Sequence, residues 1–363
     1  MKNTFGNNVT VTLFGESHGD AIGAVIDGLS PGMKIDEEYI AHQMDLRRPS
    51  GKISTQRHEA DRVRIVSGCF NSRATGTPLT LIIENSNTKS SDYEGTRYLA
   101  RPSHADYTAQ VKYRGFQDYR GGGHFSGRIT AALVAAGAVA QDALRQKGVF
   151  IATHIKSLHG IEDRDFRDLK KDCEALADKT YPVLDSDSAA LMIKETEKAA
   201  ENGDSVGGVL ETVVTGLDAG LGEPWFDSVE GQLAHILFSV PAVKGVEFGA
   251  GFGFAEMLGS CANDSFYTDN GKIRTRTNNN GGINGGITNG MPVIFRCAVK
   301  PTPSIFKEQQ TVDMKSNTDA VLSLKGRHDP AVIHRARIVV DSVTALCILD
   351  IMTGKYGTDY FGG

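Results

Sequence analysis

Apolar and polar positions alternate along Val9-Thr10-Val11-Thr12-Leu13-Phe14, the pattern of a half-buried strand. Further apolar or β-branched runs predict strands over Ala24–Ile26, Val63–Val66, Leu79–Glu84, Gly208–Thr215 and Pro292–Lys300. Helical spacing predicts helices over Glu37–Leu46, Ile129–Gln146, Ser188–Glu201, Val229–Leu237 and Ile333–Met352, the last stopped by Gly354. Ile129–Ala143 is alanine-rich and apolar all round, so a central helix covered on several sides is expected. Sheet and helix segments come in blocks, which favours α+β over a doubly wound sheet. Ile161–Leu176 is dense in both charge signs and lacks glycine. It predicts a solvated helix on a peripheral excursion spanning about residues 161–201. With no proline- or serine-rich linker, residues 1–363 are expected to form a single unit.

Composition narrows the partners. The net charge of −5 gives no general attraction to nucleic acid or to a membrane surface. Arginines nonetheless cluster at 47, 48, 57, 62 and 64 and again at 97, 101, 114, 120 and 128. A basic pocket on an acidic protein points to a small anionic ligand. Five scattered cysteines without a Cys-x-x-Cys pair speak against a disulfide framework or zinc site and fit a reducing, cytoplasmic setting. Met1–Gly6 is followed by no apolar core, so a signal peptide is not expected, and Ile129–Gln141 is too short to span a bilayer.

The first strand ends in Gly15-Glu16-Ser17-His18-Gly19, two glycines around a carboxylate, a hydroxyl and an imidazole. Histidine titrates nearest neutrality, so His18 is a candidate for proton transfer. Alone, the segment reads equally well as a tight turn with a surface histidine. His104 and His328, in similar arginine- and glycine-flanked turns, shift the reading toward chemistry. Arg47 and Arg48 precede a basic loop that includes Arg57. Guanidinium groups there would grip carboxylate or phosphate, although a solvated loop is the plainer alternative. In Arg101-Pro102-Ser103-His104-Ala105-Asp106 the proline fixes the turn, and Asp106 either orients His104 or caps the next helix. Tyr119–Arg128 carries Gly121-Gly122-Gly123 straight into the apolar helix, a ready anion site in which Ser126 either caps the helix or meets phosphate. P-loop spacing is absent.

Asn278–Gly286 is either an amide nest for an anion or a plain flexible loop. Gly249–Phe254 lacks the last glycine of the dinucleotide fingerprint. Lys300-Pro301-Thr302-Pro303-Ser304 and Lys325–Pro330 each set a cation beside proline-stiffened hydroxyl or carboxylate groups, with Asp329 as either an N-cap or a base. There is no HExxH and no carboxylate cluster, so no metal site is expected. The pattern predicts a small, multiply anionic ligand met by histidines able to transfer protons.

Gly15–Gly19, Arg101–Asp106, Gly121–Ala138, Lys300–Ser304 and Gly326–Pro330, in that order, resemble chorismate synthase from the first strand to the last helix. The resemblance implies a β-α-β sandwich of antiparallel sheets around central helices, assembled as a homotetramer. It implies the last step of the shikimate pathway, in which 5-enolpyruvylshikimate-3-phosphate loses phosphate and a C6 proton by anti 1,4-elimination to give chorismate. Reduced FMN is required, without net redox change. By the family's pattern His18 is the general acid for the departing phosphate. His104 protonates or electrostatically stabilises the reduced flavin, and Asp329 manages the proton at flavin N5. Arg47, Arg48, Arg57, Ser126, Arg128 and Arg327 would meet the substrate. His124, Phe125, Ser126, Ala242, Gly285, Lys300, Pro301, Thr302, Pro303, Ser304 and Arg327 would meet the flavin.

Two departures change expectations. The family commonly reads Arg-Ser-Ser-Ala-Arg where this chain has His124-Phe125-Ser126-Gly127-Arg128, so Phe125 is expected to pack on the isoalloxazine or its neighbours. The basic residue expected soon after Arg48 is displaced, with Lys52 beside Ile53, so NADPH is expected to act only indirectly, if at all. A non-catalytic anion-binding module would have no need of His18 and His104, and a flavin oxidoreductase would consume its reduced flavin.

Overall fold

Five antiparallel strands from the first part of the chain form one sheet, in the order Thr4–Phe5, Thr10–Gly15, Ala21–Asp27, Leu79–Glu84, Val63–Ser67. A second antiparallel sheet has the order Val243–Phe248, Val293–Val299, Gly208–Thr215, Phe150–Leu158, Ile161–Glu162. The coordinates are a computed structural model that describes residues 2–48, 61–85, 95, 97–324 and 329–362. Helix Thr130–Gln146 packs on the first sheet and helix Ile333–Tyr356 on the second, and the two helices pack on each other. The result is the α+β sandwich of sheet, helices and sheet that the resemblance implies.

Alternation explains why each sheet turns one face inward. Ile22, Ala24 and Ile26 of one strand and Leu79, Leu81 and Ile83 of its neighbour are buried beneath the central helix. That helix is buried at every position from Thr130 to Gln141, as a helix between two layers must be. Its crossing with the last helix is set by Gly137, where an added Cβ would lie 2.3 Å from Ser342 Cβ. Gly137→Ala is therefore expected to force the helices apart and cost about 1–3 kcal/mol despite alanine's better helix propensity. A fall in the denaturant midpoint at unchanged slope is the expected reading; an unchanged midpoint would refute close packing here.

Several boundaries differ from expectation. The last helix runs through Gly354 to Tyr356, because Gly354 faces Asn8, where a Cβ would lie 2.7 Å from Asn8 Nδ2. Asp350 on that helix accepts backbone N–H groups from Asn7, Asn8 and Val9 at 2.9, 2.6 and 2.9 Å, tying the start of the chain to its end.

The charged segment 161–176 is not one solvated helix. It is a short strand, a loop and a helix confined to Leu169–Leu176. The reason is Asp163, buried on His154 Nδ1 at 2.7 Å and on the N–H groups of Arg164, Leu184 and Asp185. Burial alone would push the His154 pKa down, but Asp163 and Glu211 on its two ring nitrogens hold it above the usual histidine value. The edge strand Val243–Phe248 and the hairpin Gln309–Asp313/Thr318–Leu322 carried no periodic signal strong enough to be predicted.

Candidate active site

At the end of strand Thr10–Gly15 the chain turns so that the His18 ring lies against the backbone of Gly121. An added Cβ there would fall 2.2 Å from His18 Cε1, and Gly121 has φ +58°, so only glycine fits. Ser17 N–H donates to Gly123 O at 3.1 Å. The Ser17 hydroxyl lies 3.1 Å from Arg120 O and 3.2 Å from Gly121 O, both pure acceptors, and 3.1 Å from His18 Nδ1. A hydroxyl that donates to a carbonyl accepts from the ring, so Nδ1 carries the hydrogen. His124 Nδ1–H donates to Gly15 O at 2.7 Å and clamps the same turn from the other side. Asn85, which no sequence signal marked, donates to Glu16 O and Gly19 O at 3.0 and 2.9 Å and accepts from Arg128 Nε at 3.0 Å.

The second histidine turn docks beside the first, with Arg101 Nη2 3.8 Å from where a Gly122 Cβ would be. Asp106 neither orients His104 nor caps the helix. It holds Arg101 through Nε and Nη2 at 2.8 and 2.7 Å, and Ala105 occupies the cap position. The His104 Nδ1–H donates to Pro102 O at 3.1 Å, so Nε2 is the acceptor and the Ser304 hydroxyl donates to it at 3.0 Å. Lys300 Nζ donates to Ser103 O at 2.7 Å and has no described carboxylate partner. Burial, then Lys244, lowers its pKa. Lys300 N–H donates to the carbonyl of Ala242, held at φ +76° in the left-handed region.

Burial, followed by the Arg101 charge, lowers the His104 pKa from 6.5 to about 4. The group is thus neutral near pH 7. Its folded pKa lies below the unfolded one, so its contribution to stability is present above pH 6.5 and lost as pH falls toward 4. The contribution is at most about 3 kcal/mol. An NMR titration of its ring protons is expected to show a midpoint near 4, and a midpoint above 6 would refute this assignment.

A buried carboxylate organises the arginines. Asp61 lies between Arg47, at 3.2 Å from Nη1, and Arg128, with which it makes a short ion pair. Arg47 is itself buried, donating also to Thr130 Oγ1 at 3.1 Å and Gly127 O at 3.0 Å. Arg48 is more exposed and pairs with Asp45 at 2.6 Å. Asp329 is not an N-cap, since Val332 holds that position. It is buried on Arg335 Nη1 at 2.7 Å, and Arg335 Nε donates to Arg47 O at 3.2 Å. Ser126 caps the short turn before the central helix, accepting from Arg128 N at 3.3 Å. Phe125 is 43% exposed, edge-on to Tyr113 at 6.0 Å. Arg57 and Arg327, like His328, lie outside the described residues.

Gly285 sits at the tip of a tight hairpin, Ile283–Asn284 with Ile287–Thr288, and its neighbour Gly286 abuts Glu223 and Ser228. The Asn278–Gly286 loop does form an amide nest, but its anion is internal. Asp264 accepts from Asn279 N at 2.7 Å, Asn280 N at 2.8 Å and Thr277 Oγ1 at 2.6 Å. Burial would raise the Asp264 pKa, yet these bonds bring it below the usual value. Among the described residues no group of three or more histidine, cysteine or acidic side chains could hold a metal ion.

An antiparallel α+β sandwich with two histidine turns, buried arginines and a lysine converging at one place defines an enzyme of small anionic substrates. The sequence profile of chorismate synthase matches residues 9–353. Chorismate synthases of Thermococcus gammatolerans and Aeropyrum pernix are 45% and 46% identical, over 95% and 97% of this chain and 96% and 93% of theirs. That of Dehalococcoides mccartyi is 46% identical over 97% of this chain and 96% of its own. A crystal structure of chorismate synthase matches with a TM-score of 0.78 at 28% identity, covering 98% of this chain and 94% of that one. The chain belongs to the chorismate synthase family. It is accordingly a carbon–oxygen lyase of that family.

Proposed function

We propose that the chain forms chorismate by anti 1,4-elimination from 5-enolpyruvylshikimate-3-phosphate, with FMN as the reduced flavin. The observation that carries this reading is the docking of the His18 turn, the His104 turn and the Lys300–Ser304 segment in one site. A binding module would need the cations but not two histidines with fixed ring hydrogens. His18, when its ring is protonated at both nitrogens, delivers the Nε2 proton to the departing phosphate and is left neutral, with Nδ1–H still held on Ser17. Arg48, Arg57, Arg128 and Arg327 meet the anionic groups of the substrate. Arg47 contributes by holding Asp61, and through it Arg128.

The residues present fit a flavin. Thr302 Oγ1 is buried without a hydrogen-bond partner among the described residues, within the segment the resemblance assigns to FMN. Beside it, Lys300 has no carboxylate partner among the described residues, so a polar, anionic edge would satisfy both. When bound, reduced flavin supplies electron density to the departure of a poor allylic leaving group, which no side chain offers. His104 and Ser304, which orient one another, would meet that edge, and the exposed Phe125 ring would offer it an apolar face. Asp329, its carboxylate fixed by Arg335 at 2.7 Å, is the group that would accept a proton there. We further propose a cytoplasmic homotetramer acting on a small molecule, with one unit over residues 1–363 and NADPH only as a remote electron source.

The test is anaerobic turnover with this substrate and sub-stoichiometric, chemically reduced FMN, followed by phosphate release and chorismate absorbance. Many turnovers per flavin, and none with oxidised FMN, are expected. Flavin consumed one-for-one with product would make the chain an oxidoreductase, and no turnover would overturn the assignment.

A further inference from the structure

Away from the histidine turns, a cavity of about 840 Å³ opens beneath the charged helix Leu169–Leu176. Its walls come from that helix, the helix Glu37–Arg47, the central helix, strand Phe150–Leu158 and the last helix, and it shares no residue with the site above. Volumes of this order suit drug-sized ligands. Leu144, Val149, Ile151, Leu169, Cys173 and Leu176 make the lining predominantly apolar. At the floor Arg337 and Asp341 pair with each other at 3.2 Å, so the floor presents no net charge.

One polar group bordering this space is unsatisfied. Gln141 is 8% exposed, and its Nε2 has no hydrogen-bond partner among the described residues. Its orientation is fixed, because the Tyr39 hydroxyl donates to Gln141 Oε1 at 3.0 Å and so reserves the amide nitrogen as the outstanding donor. A buried donor without an acceptor is costly, and an acceptor brought by a ligand would relieve that cost. Four residues on, and so on the same face of the central helix, Arg145 borders the same cavity with its guanidinium 4.6 Å from the Tyr39 ring centroid. A donor-only amide and a cation, backed by apolar walls, select an apolar body that carries one acceptor-rich anionic group.

We propose that this cavity is a second ligand site, for a small aromatic carboxylate whose oxygen accepts from Gln141 Nε2 beside Arg145. The ring lies among the leucines and Cys173, where its burial supplies most of the affinity. Nothing in this assignment depends on the elimination chemistry, so it stands or falls separately from the proposed reaction.

The test is isothermal titration of the full-length chain with 2-naphthoate. One equivalent per chain with micromolar affinity is expected. Gln141→Leu should weaken it at least tenfold, and Gln141→Glu, which replaces the donor by a like charge, should weaken it further. Cys173→Trp fills the space from the opposite wall and should abolish binding while the melting temperature holds. That variant carries the test if those at Gln141 do not fold. Lys300→Ala should leave binding unchanged. Three results would each overturn the proposal. They are no binding at millimolar 2-naphthoate, equal binding by Gln141→Leu, or loss of binding in Lys300→Ala. Equal affinity for the neutral 2-naphthalenemethanol would overturn the carboxylate assignment.

Discussion

His18→Ala is expected to lower kcat by about 10²–10⁴-fold, the range lost when a positioned general acid is removed. The loss should fall on kcat more than on KM, since a proton delivered to the leaving phosphate matters only as its bond breaks. Stability should change little, because the ring is half-buried on a turn that Ser17, His124 and Asn85 hold independently. Steady-state phosphate release with reduced FMN measures the effect. A variant within threefold of the parent would remove His18 from the role of proton donor. Ser17→Ala should cost less, because it removes only the acceptor that fixes Nδ1.

Asp61→Ala should produce the largest loss of stability. Its carboxylate lies between Arg47 and Arg128, and all three side chains are at most 10% exposed. Two cations brought this close in a low-dielectric interior repel each other once the anion between them is gone. Breaking such a buried arrangement by deleting one member costs about 3–5 kcal/mol. In a chain of this size that corresponds to a melting temperature lower by roughly 4–7 °C. The substrate should suffer too, because Arg128 would lose the partner that aims it. Calorimetry with and without a saturating anionic ligand distinguishes the two effects. A melting temperature unchanged in both conditions would mean that Asp61 is not the keystone of this cluster.

The elements that position the site were largely legible. Strands Leu79–Glu84 and Gly208–Thr215 and helix Val229–Leu237 have the bounds that periodicity predicts, and the central helix differs by a single residue. Each of these is set by apolar spacing within its own length. The segment 161–176 departs from its sequence-based expectation for the opposite reason. Its charges look solvated one residue at a time, and only the distant His154 and the 184–185 backbone explain a buried Asp163. The Asn-Gly nest was readable as an anion site, but that Asp264 fills it depends on a residue outside the motif.

By itself the sequence determined the periodic elements, the turns rich in glycine, proline and histidine, and the family to which they belong. These features are local: side-chain spacing and backbone freedom act over a few residues. The partners of the charges were decided only by tertiary structure. Asp61 meets Arg128 across 67 positions, His104 meets Ser304 across 200, and Asp350 meets Asn8 across 342. A carboxylate carries no periodicity that names its cation or amide, and its choice is fixed by which groups the sandwich buries together, where an unpaired charge costs too much to persist.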